Sequence, residues 1–171
     1  MKIATPIFQS SLEEAAASVI SEMNIPIVEY SLKDIRKKAE NGVYACFHVS
    51  TNNFYKSPDI KDYENEIIDY ASAVGLRFVD EITEIIHNSN GPRDNMHFDI
   101  VLINVKDGKI INRKMIEITG DQHMKPCFGS TRTCESIISD ALKTSLWDAE
   151  IILPDDVKFD VLKAILDFLK A

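Results

Sequence analysis

The chain has 171 residues, of which 45% are hydrophobic and 27% charged, values that are ordinary for one globular domain with a sizeable core. No apolar run approaches the roughly 18 residues of a membrane helix, and the first residues lack the apolar region of a signal peptide, so we expect a cytoplasmic protein without membrane contact. Three cysteines without a CxxC pair argue against a disulfide framework and a structural zinc site. We therefore expect free, buried or half-buried thiols.

The formal net charge of −8 does not favour binding to nucleic acid, because phosphate contacts come from Lys and Arg. A carboxylate cluster that holds a divalent cation is acidic by design, however, and the bound ion reverses the local sign of charge. The acidic composition therefore does not exclude an enzyme that acts on nucleic acid through a metal.

The first half of the chain is predicted to order as strand, helix, strand, helix, strand. Ser10 and Glu13 have the spacing of a capping box, and the alanine-rich run that follows favours a helix up to Met23. Ser31 is predicted to cap a second helix that ends at Gly42. The three strands are predicted at 1–8, 25–30 and 43–50.

The second half begins with a polar stretch at 51–59, the best candidate for a join between subdomains. A long helix is predicted at about 60–74, and the alternation at 76–86 suits a strand. Asp107-Gly108 between two β-branched runs predicts a hairpin. A helix at 134–147, a strand at 149–153 and a last helix at 157–171 then complete one α/β or α+β domain with a mixed sheet.

Two acidic residues lie inside strands that are otherwise fit for burial. Asp99 interrupts HFDIVLI and Glu117 interrupts MIEITG, where an ionised carboxylate is costly unless it is paired or holds a metal. Because the hairpin makes these strands neighbours, the two carboxylates could converge on one Mg²⁺ site. The competing interpretation places both acids on the solvent face of a one-sided sheet. His48, in VYACFHVS, is expected to pack in the core or lie at an exposed edge.

The segment MIEITGDQH resembles the IEIDGxQH segment of small nucleases in the PD-(D/E)xK superfamily, in the branch that includes the very-short-patch-repair endonucleases. The order of motifs along the chain is also similar to that of the family. It comprises an acid in a helix, a Gly followed by an apolar and an aromatic residue, an Asp in a strand, and Asp-x-x-Lys in a later helix. The matching residues are Glu64, Gly75 to Phe78, Asp99, and Asp140 with Lys143. The resemblance implies a restriction-endonuclease-like αβββαβ core at 57–153, an N-terminal α/β extension at 1–55 and a C-terminal helix at 155–171.

This resemblance implies a nuclease that hydrolyses DNA phosphodiester bonds with Mg²⁺ or Mn²⁺ and that acts either alone or as a homodimer. Asp99 and Glu117 would be its metal-binding carboxylates, and the carbonyl of Ile118 would be a further ligand. Glu64 would be the helix acid that completes the site. Glu66 would take that place if the register of the comparison is off by two residues.

On the substrate side, the resemblance implies that Gln122 and His123 lie beside the scissile phosphate, with His123 as a proton donor or phosphate contact. Lys143 would reach the site from the following helix. One position departs from the family, because the lysine of its ExK motif is Thr119 here. A threonine can orient a water but supplies no positive charge, and the candidate substitutes are Lys114, Lys125 and Lys143.

Two other functions stay open at this point. Thr119 and the net charge of −8 would also suit a catalytically inactive binding or interaction module on the same fold. The opening MKIATPIF, followed by a helix, is similar to the start of many nucleotide-binding α/β folds, which suggests an enzyme acting on a nucleotide or another small molecule.

Overall fold

One mixed, open sheet organises the chain. The computed structural model describes residues 1–75, 79–93, 96–119 and 132–171. The four strands lie side by side in the order β1 (Gly42–Ser50), β2 (His97–Lys106), β3 (Lys109–Ile118) and β4 (Glu150–Ile152). Helices flank this sheet, which confirms the predicted α/β class with a mixed sheet.

Six helices are found in the described ranges. They are α1 (Ser11–Glu22), α2 (Leu32–Lys38), α3 (Glu64–Ala73), α4 (Val79–His87), α5 (Arg132–Trp147) and α6 (Val157–Lys170). The predicted caps are confirmed, because the Ser10 hydroxyl accepts a hydrogen bond from the N–H of Glu13 at 3.3 Å and Ser31 caps α2 in the same way. In the described part of the chain, no helix is both long enough and apolar enough to cross a membrane.

The hairpin of β2 and β3 forms as the sequence predicts. The strands are antiparallel, with Ile100 opposite Ile116. Asp107 and Gly108 connect them with φ angles of 52° and 78°, and two successive positive φ values give a tight turn the twist that matches the flanking strands. A one-residue shift of register between Asn104 and Val105 then brings Asp99 and Glu117 to the same level of the sheet.

The strand predicted at 76–86 is wrong, because the chain is helical from Val79 to His87. Ile82 and Ile86 lie one helical turn apart and are both fully buried, whereas Asp80 and Glu81 occupy the first turn, where acids are favourable. The spacing of the isoleucines, rather than the partial alternation, decides the structure of this segment.

The strands predicted at 1–8 and 25–30 are reduced to isolated bridges. Ile3 pairs with Val28 and Ile27 pairs with Ala45, each as a single bridge. Both segments contain a proline, Pro6 or Pro26, which lacks the N–H that a continuous ladder requires. The opening segment is therefore not a strand of the sheet, which removes the feature that suggested a nucleotide-binding fold.

The first of two compact units comprises Met1–Val49, His97–Ile118 and Ile152–Ala171. In this unit α1 packs against α6, and both contribute to one apolar core with β2, β3 and the single strand residue Ile152. Its fully buried members include Ala16, Ile20, Ala45, Ile100, Leu102, Ile116, Val161, Ala164 and Ile165.

The second unit comprises Ser50–Met96 and Thr119–Ile151 and is mainly helical. Here α3 packs against both α4 and α5. The apolar residues that these helices bury are Ile67, Ala71, Ile82, Ile86, Ile137, Ile138, Ala141 and Leu142.

Replacing Ile100 with Ala is expected to destabilise the first unit by about 3 kcal/mol, because a fully buried side chain is lost from the core and leaves a cavity. Urea unfolding followed by circular dichroism measures this change. The matched control is Ile111→Ala on β3, where the side chain is 56% exposed and the cost should stay below about 1 kcal/mol. Equal costs at the two positions would contradict the placement of this core.

Cys46 and Cys134 are expected to resist alkylation in the native protein at neutral pH. Both thiols are free and buried, as predicted, and burial raises the pKa of Cys46 to about 12 and that of Cys134 to about 11. The reactive thiolate is therefore scarce. Iodoacetamide treatment with mass spectrometry should label these two residues only after unfolding in urea, and rapid native labelling of either would contradict its burial. Cys127 lies outside the described residues.

Candidate metal centre

Glu13 lies on the buried face of α1. Ala16, Ala17 and Ile20 follow it at spacings of three, four and seven residues, share its face and are all buried. The Glu13 side chain is only 5% exposed. A carboxylate in such a place requires a polar partner, and Oε1 of Glu13 is hydrogen-bonded to Nε2 of His48.

His48 lies within β1 but departs from strand geometry. Its φ angle is +52°, in the left-handed region that costs a residue with a Cβ about 1–2 kcal/mol. This local conformation occurs where the imidazole meets the carboxylate of Glu13. Asn, Asp and His enter this region more often than other residues with a Cβ, and Asn24, Asp107 and Asp148 share the conformation in this chain.

Asp99 and Glu117 are held together across β2 and β3. Continuing the register by one residue from Ile100 and Ile116 places the two acids opposite each other, so they face the same side of the sheet. The backbone N–H of Ile118 donates to Oδ2 of Asp99 at 2.8 Å, and the N–H of Asp99 donates to Oε2 of Glu117 at 3.3 Å. Both carboxylates are therefore oriented by the backbone of the hairpin.

Three elements deliver potential metal ligands to one point. One ligand atom each from Glu13 on α1, His48 on β1 and Asp99 on β2 lie within 4.8 Å of one another. Two ligands on opposite sides of an octahedral ion with bonds of about 2.1 Å would be about 4.2 Å apart. Neighbouring ligands of such an ion would be about 3 Å apart, so sharing one cation would require adjustment of these side chains and replacement of the Glu13–His48 hydrogen bond by bonds to the ion.

The electrostatics of the centre favour a cation. Burial raises the pKa of the Glu13 carboxyl above its ordinary value; the hydrogen bond from His48 opposes this rise, and the negative charge of Asp99 adds to it. The folded protein therefore disfavours an ionised Glu13 beside an ionised Asp99. A divalent ion between these carboxylates would reverse that balance.

Comparison with known proteins does not assign the chain to a family. No family model, curated protein or solved structure matches it. The chemistry of the centre must then follow from its own donor atoms, which are two carboxylates and one imidazole, with the buried carboxylate of Glu117 next to Asp99. A mixed oxygen and nitrogen set of this kind suits a divalent cation.

Sequence reasoning found one half of this centre and missed the other. Asp99 and Glu117 were predicted as neighbours and are neighbours, and Ile118 contributes its N–H to the pair. Glu13 was interpreted only as part of a helix cap, and His48 as a core or edge residue. The signal for Glu13 was present, because an acid at helical spacing from Ala16 and Ile20 falls on the buried face.

The predicted helix acid, Glu64, lies in the second unit at the start of α3. Its Oε1 is hydrogen-bonded to Nε2 of His87 on α4 at 2.8 Å. The alternative, Glu66, is exposed on the same helix. In the first unit, the acid that a helix contributes next to Asp99 is Glu13.

The predicted substrate-side residues are only partly described. Thr119, which occupies the position of the family lysine, is buried, and its hydroxyl donates to Oδ2 of Asp140 at 3.5 Å. Lys143, one turn further along α5, is also buried, at 4% exposure. Both belong to the second unit. Gln122 and His123 lie outside the described residues.

Proposed function

We propose that this protein is a nuclease that hydrolyses DNA phosphodiester bonds with a divalent metal. The observation that carries the proposal is the convergence of Glu13, His48 and Asp99 within 4.8 Å, with Glu117 fixed beside Asp99. Carboxylates on a helix and on two neighbouring strands suit a metal centre that acts on phosphate esters. The resemblance of MIEITGDQH to the nuclease segment gives the proposal its substrate class.

Glu13, His48 and Asp99 would hold the ion, and Glu117 would take part directly or through a bound water. The ion, when bound, supplies a Lewis acid that polarises the phosphodiester and lowers the pKa of a coordinated water. The chain's own contribution is to orient the ligands in advance. The N–H of Ile118 fixes the Asp99 carboxylate, and the N–H of Asp99 fixes that of Glu117.

The charge distribution of the centre indicates that DNA binding, as well as catalysis, would depend on the metal. The chain carries 27 acidic and 19 Lys or Arg residues, so its overall field repels a polyanion. Carboxylates at the centre would repel a scissile phosphate unless a cation lies between them. DNA binding near this centre should therefore weaken when the metal is removed.

Incubation of the purified chain with supercoiled plasmid and with single- and double-stranded oligonucleotides tests the proposal. The reactions contain Mg²⁺, Mn²⁺ or excess EDTA, and parallel reactions contain RNA. Cleavage of DNA that requires the added metal is the expected result. Absence of cleavage with every nucleic acid and metal would overturn it, whether or not calorimetry detects metal binding.

A binding module on the same fold is the second candidate, and one contact favours it. Thr119 is buried, its hydroxyl lies 3.5 Å from Oδ2 of Asp140, and its side chain offers no positive charge to a phosphate. Such a module would bind the metal or DNA without cleaving it. Filter binding next to the cleavage assay separates the candidates, because a module would retain DNA at metal concentrations that produce no products.

A further inference from the structure

We propose that His48 makes this centre prefer Mn²⁺ over Mg²⁺, an inference that rests on the metal centre of the proposed function. An all-carboxylate site built on Asp99 and Glu117 alone would suit Mg²⁺, which takes oxygen ligands almost exclusively. The imidazole of His48 changes the donor set. Imidazole nitrogen binds first-row transition ions well and binds Mg²⁺ poorly, so its presence favours Mn²⁺.

The position of the imidazole supports a role as ligand. Its Nε2 contacts the Glu13 carboxylate, and the ligand atom of His48 lies within 4.8 Å of the ligand atom of Asp99. The His48 side chain keeps 26% of its surface exposed, whereas Glu13 is almost fully buried. An ion arriving from solvent can therefore approach on the side of the histidine.

The backbone at position 48 guides the choice of a test substitution. Its φ of +52° would suit Gly, and Asn tolerates it better than most residues with a Cβ. Histidine also enters this left-handed region more often than most residues. Asn is therefore a well-suited test substitution, because it tolerates the conformation, remains polar and lacks the imidazole.

The rival explanation is that His48 serves only as the hydrogen-bonding partner of buried Glu13. In that case, an ion would bind through carboxylates alone, and its preference would not depend on the imidazole. The two explanations differ in what happens to Mn²⁺ and Mg²⁺ separately, so both affinities must be measured on the same proteins.

Isothermal titration calorimetry of the full chain with MnCl₂ and with MgCl₂ gives the preference directly. We expect wild-type protein to bind Mn²⁺ at least about tenfold more tightly than Mg²⁺, and His48→Asn to reduce that ratio to about threefold or less, mainly by weakening Mn²⁺ binding. The matched control is His87→Asn, the same change at the exposed histidine of α4, which should leave the ratio unchanged.

Pulsed electron paramagnetic resonance provides a readout that needs neither catalysis nor a variant. Mn²⁺ bound to wild-type protein should show modulation from a directly coordinated imidazole nitrogen. His48→Asn should lose this modulation and His87→Asn should keep it. Wild-type protein that binds both ions equally, or that binds Mn²⁺ without nitrogen coupling, overturns the proposal even if the His48 variant does not fold.

The outcome also separates this inference from the proposed function. Nitrogen-coupled, preferential Mn²⁺ binding without cleavage of any nucleic acid would support the inference and remove the nuclease. Cleavage with equal affinities for the two ions would support the nuclease and remove the role of His48. Absence of binding by either ion would remove both.

Discussion

Asp99→Asn is expected to lower metal-dependent DNA cleavage on the order of a hundred- to a thousandfold while leaving the protein folded. The carboxamide removes the negative charge of Asp99, which lies next to Glu13 and His48 and also next to Glu117. It keeps the size of the side chain, and its oxygen can still accept the hydrogen bond that Ile118 donates at 2.8 Å. Initial rates of plasmid nicking at saturating metal measure the effect, and thermal unfolding checks the fold.

A matched variant for this experiment is Asp167→Asn on α6. Asp167 belongs to the same unit but is exposed, so its replacement removes the same charge from the solvent-exposed surface. Its cleavage rate should stay within about twofold of wild type, because surface charges far from the site contribute little. Full activity in Asp99→Asn, or an equal loss in both variants, would show that Asp99 does not hold the catalytic ion.

Local patterns explain why Asp99 and Glu117 could be predicted as neighbours. Their proximity follows from the tight turn at Asp107-Gly108 together with a one-residue shift of register between Asn104 and Val105, all within about 20 residues of sequence. Without that shift, the register of the turn would place Asp99 opposite Ile116. The turn could be predicted from the sequence but the shift could not, because β2 is buried on both faces from Ile100 to Ile103 and gives no alternation that fixes the register.

Glu13 and His48 could not be paired in the same way. They are 35 residues apart and meet because α1 packs next to β1, an arrangement that no periodicity in either segment specifies. Glu64 was preferred as the helix acid because the resemblance extended from residue 57 onward. The chain before that residue offered strands and helices but no motif that pointed to a site. The helical face shared by Glu13, Ala16 and Ile20 was the available clue.

The misassigned segments illustrate a competition between local signals. The segment around Ile82 and Ile86 combines β-branched residues, which favour strands, with the spacing of a helix, and burial of both isoleucines on one face settled it. At Pro6 and Pro26 the apolar pattern of a strand was present, but the missing N–H groups prevented a ladder. The apolar pattern predicts which element a segment could form, and the available backbone N–H groups decide whether a continuous strand can form.

The effect of Glu13→Gln on stability is expected to reverse with metal. Without metal, the variant should be as stable as wild type or slightly more so. The folded protein raises the pKa of the Glu13 carboxyl through burial, against the hydrogen bond from His48 and with the charge of Asp99, and therefore disfavours its ionised form. The neutral amide removes this penalty and can still hydrogen-bond to His48. Differential scanning calorimetry in EDTA measures this half of the experiment.

In the presence of Mn²⁺, wild-type protein should be more stable than Glu13→Gln. An ion at a hundred times its dissociation constant stabilises the wild-type fold by about 2.7 kcal/mol, which corresponds to a rise of roughly 5–10 °C in melting temperature for a chain of this size. Glu13→Gln lacks one anionic ligand and should gain much less. Glu14→Gln, the same change at the exposed neighbouring position in the first turn of α1, should follow wild type in both conditions. If Glu13→Gln is equally destabilised with and without metal, Glu13 serves only as a structural partner of His48. A purely structural hydrogen bond cannot reverse the sign of the stability difference between Glu13→Gln and wild type. The sign can change on addition of Mn²⁺ only if the Glu13 carboxylate binds the ion.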